Sequence, residues 1–328
     1  MSRKRPNKDR KDDDSFLAVD IGGTNVTCGL VSRRGQVLST DIFPTSHGPT
    51  PKALIELMVS RLDALRKKAD ASSPPAALAV GAPGWLRPKD GIVVKAPNIK
   101  DWIDIPIAKL MAEAMGLPVR LENDANLYAL GEWLAGSGQG SDNEIVLTLG
   151  TGVGAGLILK GQLWSGYFFS AGEVGHIPLG PAFTTPCGCG GSGCLETVAS
   201  AKGMSSAARE WLKAEKSSLF TGSLAELNTE VMRELAEKGD PMSLHVFRQA
   251  GLALGQVLAG VFNLLSIERA VIGGGAAGAF EFIKGPMMEV LSKHIVTAKI
   301  EEVQIVKGAL GSVAPLIGGA AHLTAEGF

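Results

Sequence analysis

Two stretches of this chain repeat one plan. Phe16-Leu17-Ala18-Val19-Asp20-Ile21 is an apolar run that ends in an aspartate and enters a Gly22-Gly23-Thr24 turn. Glu144-Ile145-Val146-Leu147-Thr148-Leu149 runs in the same way into Gly150-Thr151-Gly152. Each is followed by a second strand-like run, over residues 26–32 and 155–160. The match is weak in letters and better in element order, as an old internal duplication would leave it. It predicts two similar lobes, each offering a glycine turn, facing each other across a cleft. Backbone N–H groups bare of side chains can face an anion, and two such turns suit a polyphosphate held from both sides. Alone, Gly22-Gly23 reads equally well as a plain hairpin turn. Residues 36–43 form a third strand beyond a turn at Gly35, so the first unit is a meander. It is not the strand-turn-helix of a dinucleotide or Walker site.

The remaining elements follow from periodicity. Residues 51–69 read as an amphipathic helix, with Leu54, Leu57, Met58, Leu62 and Leu65 on one side. A buried strand over 76–81 leads into Gly81-Ala82-Pro83-Gly84-Trp85. A short strand at 91–94, the run Ala96-Pro97-Asn98-Ile99 and a helix over 105–116 with Pro106 in its first turn come next. The apolar run 117–121 then enters Leu121-Glu122-Asn123-Asp124-Ala125-Asn126, and Leu127, Leu130 and Leu134 mark the helix beyond. Asn123 or Asp124 therefore sits at a helix N-cap. The plain reading of Asp124 is a cap; the functional one is a carboxylate at the carboxyl end of a strand, where open α/β folds place their chemistry. Helices fill most of 198–265, the longest starting at Pro241, and Gly251, Gly255 and Gly260 predict close contact with a neighbouring backbone or ligand along it. A strand over 270–275 ends in Gly273-Gly274-Gly275, followed by a helix to about 294, a strand at 303–306 and a helix over 315–324.

At 328 residues the chain has room for two domains with real cores, and its charged fraction of 20% is that of an ordinary globular protein. A net charge of −1 excludes a global field that would recruit nucleic acid or an anionic membrane. No apolar stretch reaches the ~18 residues of a membrane span. Residues 1–14 carry Arg3, Lys4, Arg5, Lys8, Arg10 and Lys11 before Asp12, Asp13 and Asp14, a solvated tail in composition. No signal-peptide apolar core follows Met1, so a cytoplasmic location is expected.

The cysteines are the sharpest local signal. Cys187, Cys189 and Cys194 crowd a short loop downstream of His176, while Cys28 lies alone in a strand as a buried thiol. Cys-x-Cys is too short to close a comfortable disulfide. Three thiolates and an imidazole match a tetrahedral structural zinc site, with free thiols as the alternative. Zinc there would pin the loop and fix Glu173 and Glu196 on either side of it. Carboxylates so placed are suited to accept hydrogen bonds from a polyhydroxylated ligand.

Asp20-Ile21-Gly22-Gly23-Thr24, Glu122-Asn123-Asp124-Ala125-Asn126, Gly150-Thr151-Gly152-Val153-Gly154, Gly172-Glu173-Val174-Gly175-His176 and the run from Cys187 to Glu196 together resemble the ROK family of sugar kinases. The resemblance spans roughly residues 16–322, in order. It implies an α/β, two-lobed, actin-like or hexokinase-like ATPase fold with duplicated βββαβα units. It implies a tail over 1–15, a small lobe over 16–122 with 311–328 packing back on it, and a large lobe over 123–310. Residue by residue, it implies Asp124 as catalytic base, with Asn98, Asn123, Glu173, His176 and Glu196, and backbone around Gly84, holding sugar hydroxyls. Gly22, Gly23 and Thr24 would face phosphate from one lobe and Gly150, Thr151 and Gly152 from the other. Asp20 would organise Mg²⁺ with ATP, Gly273, Gly274 and Gly275 would lie near the nucleoside, and His176, Cys187, Cys189 and Cys194 would bind zinc. The expected activity is ATP-dependent phosphorylation of a hexose at its 6-hydroxyl, glucose first, by a homodimer or homotetramer. The alternatives are kinases of N-acetylmannosamine, N-acetylglucosamine or fructose, polyphosphate as donor, and a sugar-sensing ROK repressor. For that last, the first strand at Phe16 leaves no room for a DNA-binding domain in front.

Overall fold

β1 (Ser15–Ile21) is buried along nearly its whole length because both of its faces are covered. In the computed structural model, which describes residues 14–70, 73–214 and 217–328, it is the middle strand of a five-stranded sheet. All but the last residue of the charged tail lies outside the described residues. β2 (Asn25–Ser32) and β3 (Val37–Pro44) continue antiparallel on one side, and β4 (Leu78–Ala82) and β8 (Val119–Asn123) run parallel to β1 on the other, in the order β3-β2-β1-β4-β8. Between the strands come α1 (Pro51–Arg66) and α2 (Ile107–Met115). Alternate residues divide between two cores. Leu17, Val19 and Ile21 pack with Leu54, Met58, Leu62, Ile107 and Met111 of these two helices. Phe16 and Ala18 face the other way, onto Leu316, Ala320 and Leu323.

A second, three-stranded sheet orders as β5 (Trp85–Arg87), β6 (Ile92–Lys95) and β7 (Ile103–Ile105). Only its middle strand was expected. With β7 ending at Ile105, α2 starts at Ile107 and Pro106 is its N-cap rather than a first-turn residue. Then comes α3 (Asp124–Ala135).

The chain divides into two compact units. The first takes in the described residues through Gln139, with Leu163–Ala171 and Ser312–Phe328; the second is Gly140–Gln162 and Gly172–Gly311. The expected lobe boundary at 122/123 would have detached α3 from the first unit. The unit runs on to Gln139 because α3 packs against a helix from the far end of the chain.

The second unit holds β9 (Asn143–Leu149) and β10 (Val153–Leu159), the short α4 (Glu196–Ala199), α5 (Ala201–Lys213), α6 (Thr229–Glu237) and α7 (Pro241–Leu265), then β11 (Arg269–Gly273), α8 (Phe280–His294) and β12 (Gln304–Lys307). Its sheet orders as β10-β9-β11-β12, with β9 and β10 antiparallel and β11 parallel to both β9 and β12. The duplication is therefore incomplete. Among the described residues this sheet has two antiparallel strands where the first has three. Along α7, a Cβ on Gly251 would overlap the Ile283 carbonyl of α8, and one on Gly255 would come within 2.7 Å of the Met287 carbonyl. Gly260 has no protein atom within 4 Å of a Cβ placed there, so among the described residues no neighbouring backbone approaches it.

α9 (Ala314–Ala325) returns to the first unit. A Cβ on Gly318 would overlap the Leu127 carbonyl of α3, and one on Gly131 the Ala314 carbonyl of α9, so the two helices meet backbone to backbone. No helix among the described residues is long and apolar enough to cross a membrane.

Candidate active site

In the first unit the parallel strands β1, β4 and β8 deliver their carboxyl ends side by side. Asp20 pairs in register with Gly81, and Gly81 with Glu122; Ala82 pairs with Asn123. Gly81 keeps this row tight, since a Cβ there would lie 3.3 Å from Asp20 Oδ1. That oxygen is buried and has no hydrogen-bond partner. Burial first, and the Asp124 charge second, push the Asp20 carboxyl up to about 8. A buried carboxylate oxygen with no protein partner is suited to meet a cation.

Asn123 is the N-cap of α3, its side-chain oxygen accepting from the backbone N–H of Ala125 at 2.9 Å and of Asn126 at 3.2 Å. Asp124 is the first helical residue, and its Oδ1 accepts from Ala125 N–H at 2.8 Å. The cap and the acid that sequence alone leaves interchangeable are thus separate residues. Asp124 stands at the positive end of the helix. Glu122, which sequence reasoning passed over, is 4% exposed and accepts from Asn123 N–H at 2.8 Å and Asn126 Nδ2 at 2.9 Å. A carboxylate at the end of a buried strand was the available signal.

The first glycine turn is shaped by Gly22 N–H, which donates to the Asn25 carbonyl at 2.9 Å, while Thr45 Oγ1 donates to the Gly22 carbonyl at 2.7 Å. Gly23 packs on Asn98, whose Cβ would lie 3.0 Å from a Cβ at position 23. Gly84, at φ +89°, lies so close to the Lys95 carbonyl that no side chain fits. The first unit thus brings Gly23 against Asn98 and Asp20 within electrostatic reach of Asp124.

In the second unit Gly150 N–H donates to the Gly152 carbonyl at 3.0 Å, the same device one residue tighter. In both turns the first N–H is spent internally. The N–H groups of the later residues of each turn are not used in this way. Gly273 pairs with Thr148, and Gly274, at φ +83°, would place a Cβ 2.6 Å from the Leu149 carbonyl. Gly273, Gly274 and Gly275 therefore meet the Gly150 turn at one edge of the sheet. Glu196 joins them: a Cβ on Gly152 would lie 2.6 Å from its Oε2.

The cysteine loop is a small backbone ladder. Leu179 N–H donates to Gly193 O at 2.9 Å, Leu195 N–H to Ile177 O at 3.0 Å and Cys187 N–H to Gly191 O at 2.8 Å. It closes His176 onto the cysteines, and the four ligand atoms all lie within 4.8 Å of one another. Cys187 Sγ is 3.6 Å from His176 Nδ1 and donates to Glu196 Oε1 at 3.2 Å, and Cys189 Sγ is 3.7 Å from Cys194 Sγ. The Gly191 backbone N–H lowers the Cys189 thiol, whereas burial pushes Cys187 up to about 12. The other face of His176 meets Glu173, Nε2 to Oε2 at 3.9 Å. Cys28 lies in β2 with no exposure, and burial holds its thiol far above the ordinary range.

Carboxylates and glycine turns at the carboxyl ends of two related sheets define a phosphotransferase-type α/β protein. The ROK family pattern matches residues 16–326, and the chain belongs to the ROK family. It is 33% identical over 311 residues to a glucokinase of Halalkalibacterium halodurans, covering 93% of each chain. It is 29% identical over 261 residues to an N-acetylmannosamine kinase of Escherichia coli, covering 79% of this chain and 82% of that one. Its fold matches the crystal structure of a ROK family glucokinase from Streptomyces griseus in complex with glucose and AMPPNP, with a TM-score of 0.81 and 32% identity over 94% of this chain and 98% of the other. Its structural neighbours have the hexokinase-like ATPase fold.

Proposed function

We propose that this protein transfers the terminal phosphoryl group of ATP to the 6-hydroxyl of a hexose, with glucose as its preferred acceptor. The observation that carries the reading is the Asn123-Asp124 turn: a carboxylate at a helix N-terminus, with its neighbour taking over the cap, beside a second, buried acid. The likeness to glucokinases along nearly the whole chain supports it.

Phosphoryl transfer asks a protein mainly to position groups and to neutralise charge. Asp124 accepts the hydroxyl proton as the new P–O bond forms. As the family resemblance implies, Asn98, Asn123, Glu173, His176 and Glu196, with the backbone at Gly84, hold sugar hydroxyls. With Gly22 and Gly150 committed to their turns, the phosphates fall to Gly23 with Thr24 and to Thr151 with Gly152. Gly273, Gly274 and Gly275 lie beside the nucleoside. Asp20, whose orphaned oxygen fits a divalent cation, would hold Mg²⁺, which when bound neutralises the nucleotide phosphates.

His176, Cys187, Cys189 and Cys194 would hold zinc. A tetrahedral ion with Zn–S near 2.3 Å and Zn–N near 2.05 Å spaces two sulfurs by about 3.8 Å, and a sulfur and a nitrogen by about 3.6 Å. The separations of 3.7 Å and 3.6 Å support that fit. When bound, zinc supplies structure rather than chemistry, since all four positions are filled. His176 would hold the ion through the ring nitrogen that lies beside Cys187, leaving the other toward Glu173. A cytoplasmic homodimer or homotetramer belongs to the same reading, on resemblance to the family.

The test is a coupled ADP assay over glucose, mannose, fructose, N-acetylglucosamine and N-acetylmannosamine, with polyphosphate as a second donor. Glucose with ATP should give the highest kcat/KM. A clear preference for N-acetylmannosamine would replace the substrate, and no turnover with any sugar would overturn the reading. Asp124→Asn should lower kcat by about 10³-fold or more while sugar affinity changes little; near-normal turnover would remove the base.

A further inference from the structure

We infer that Glu122 is a positioning residue for the reaction, one of its oxygens tying down both sides of the turn that carries Asp124; the inference rests on the kinase reading above. One oxygen, Glu122 Oε1, receives both the Asn123 backbone N–H at 2.8 Å and the Asn126 side-chain amide at 2.9 Å. These donors lie on either side of Asp124 in the chain. Asn126 is 2% exposed and its Oδ1 has no partner, so the bond to Glu122 alone sets how that amide is turned. Asn123, held from below by the same oxygen, caps the helix through Ala125 and Asn126 N–H. The last strand residue before the turn and the first turn of α3 are thereby tied to one atom.

The placement is chemically unusual enough to need a purpose. Glu122 is 4% exposed, in the same row of strand ends as Asp20 and two residues before Asp124. Burying another acid beside two carboxylates is unfavourable unless its bonds are worth it. Charge-assisted acceptance of two N–H groups is stronger and more directional than neutral acceptance. A capped helix needs none of this, because Asn123 already provides the cap. What the pair of bonds adds is a fixed angle between β8 and α3, and with it the direction of Asp124. A misplacement of about 1 Å at a reacting group costs on the order of 100-fold in rate.

The experiment compares Glu122→Gln, Glu122→Leu and Asn126→Leu with the full-length protein, measuring kcat and sugar KM separately and checking folding by circular dichroism and thermal unfolding. Glu122→Gln keeps an oxygen of the right reach and should retain kcat within about fivefold. Glu122→Leu should fold yet lose about 100-fold in kcat with KM moved less than about threefold. Should it fail to fold, Asn126→Leu carries the test by removing one donor: kcat should fall about tenfold at unchanged KM. A folded Glu122→Leu with wild-type kcat overturns the inference. So does a Glu122→Gln as impaired as Glu122→Leu, or, where the latter does not fold, an Asn126→Leu with unchanged kcat. If the wild-type protein phosphorylates no sugar, the proposed function falls instead, and the two failures are told apart by that control.

Discussion

Asp20 should make the cation-free protein less stable as pH rises, the reverse of the usual carboxylate effect. Its folded pKa is raised, from 3.8 to about 8. Below pH 3.8 both states hold the proton and there is no penalty. Between 3.8 and about 8 the unfolded chain has released it while the folded protein keeps it. In that window stability falls by about 1.4 kcal/mol per pH unit, to a ceiling of about 6 kcal/mol. Water and polarisable groups at the strand ends reduce this to on the order of 2–3 kcal/mol. Asp20→Asn removes the titration and should stabilise the cation-free protein by that amount at pH 8 and hardly at all near pH 4. The assay is urea unfolding of both proteins across pH 4–8, with and without Mg²⁺ and nucleotide. Mg²⁺ with nucleotide should stabilise the wild type more at pH 8 than at pH 6, since the cation must displace the proton. An Asp20→Asn protein with the wild-type pH slope would refute the reasoning.

Two further outcomes follow from geometry. Purified protein should carry about one zinc per chain by metal analysis, and strong chelation should open the loop over 176–194 to proteolysis and weaken sugar binding. A demonstrably zinc-free sample with unchanged digestion and activity would dismiss the metal. Gly318→Ala, forcing a Cβ into the Leu127 carbonyl, should cost about 3 kcal/mol or more. Gly260→Ala, with open space around it in the same kind of helix interior, should stabilise by up to about 1 kcal/mol. Thermal unfolding of the pair reads both signs at once.

What the sequence could show depended on how many residues a feature spreads over. β1, α7 and the glycine turns are long or repeated, so periodicity finds them. β5 and β7 are three residues each, too short for alternation to register, and the expected helix over 105–116 takes in the last residue of β7. Gly251 and Gly260 look alike as letters. Only the position of α8 tells which one faces a backbone. The N-cap ambiguity between Asn123 and Asp124 could not be resolved from composition, because both residue types cap well. Likewise, the glycines of the two turns are plain in the sequence, yet the hydrogen bonds that Gly22 and Gly150 make within them exist only once the turns close.

The course of the chain has a consequence for its synthesis. The wall of Leu316, Ala320 and Leu323 that covers Phe16, Ala18 and Ala79 belongs to α9, which follows the entire second unit in the sequence. A ribosome therefore releases the strands of the first unit long before their second face can be covered. Until α9 emerges, that apolar face must wait, be screened by a chaperone, or find a wrong partner. The aggregation risk of this protein thus lies in an interval of translation. A stop codon just before Ser312 should yield an insoluble product even though it leaves every proposed catalytic residue in place.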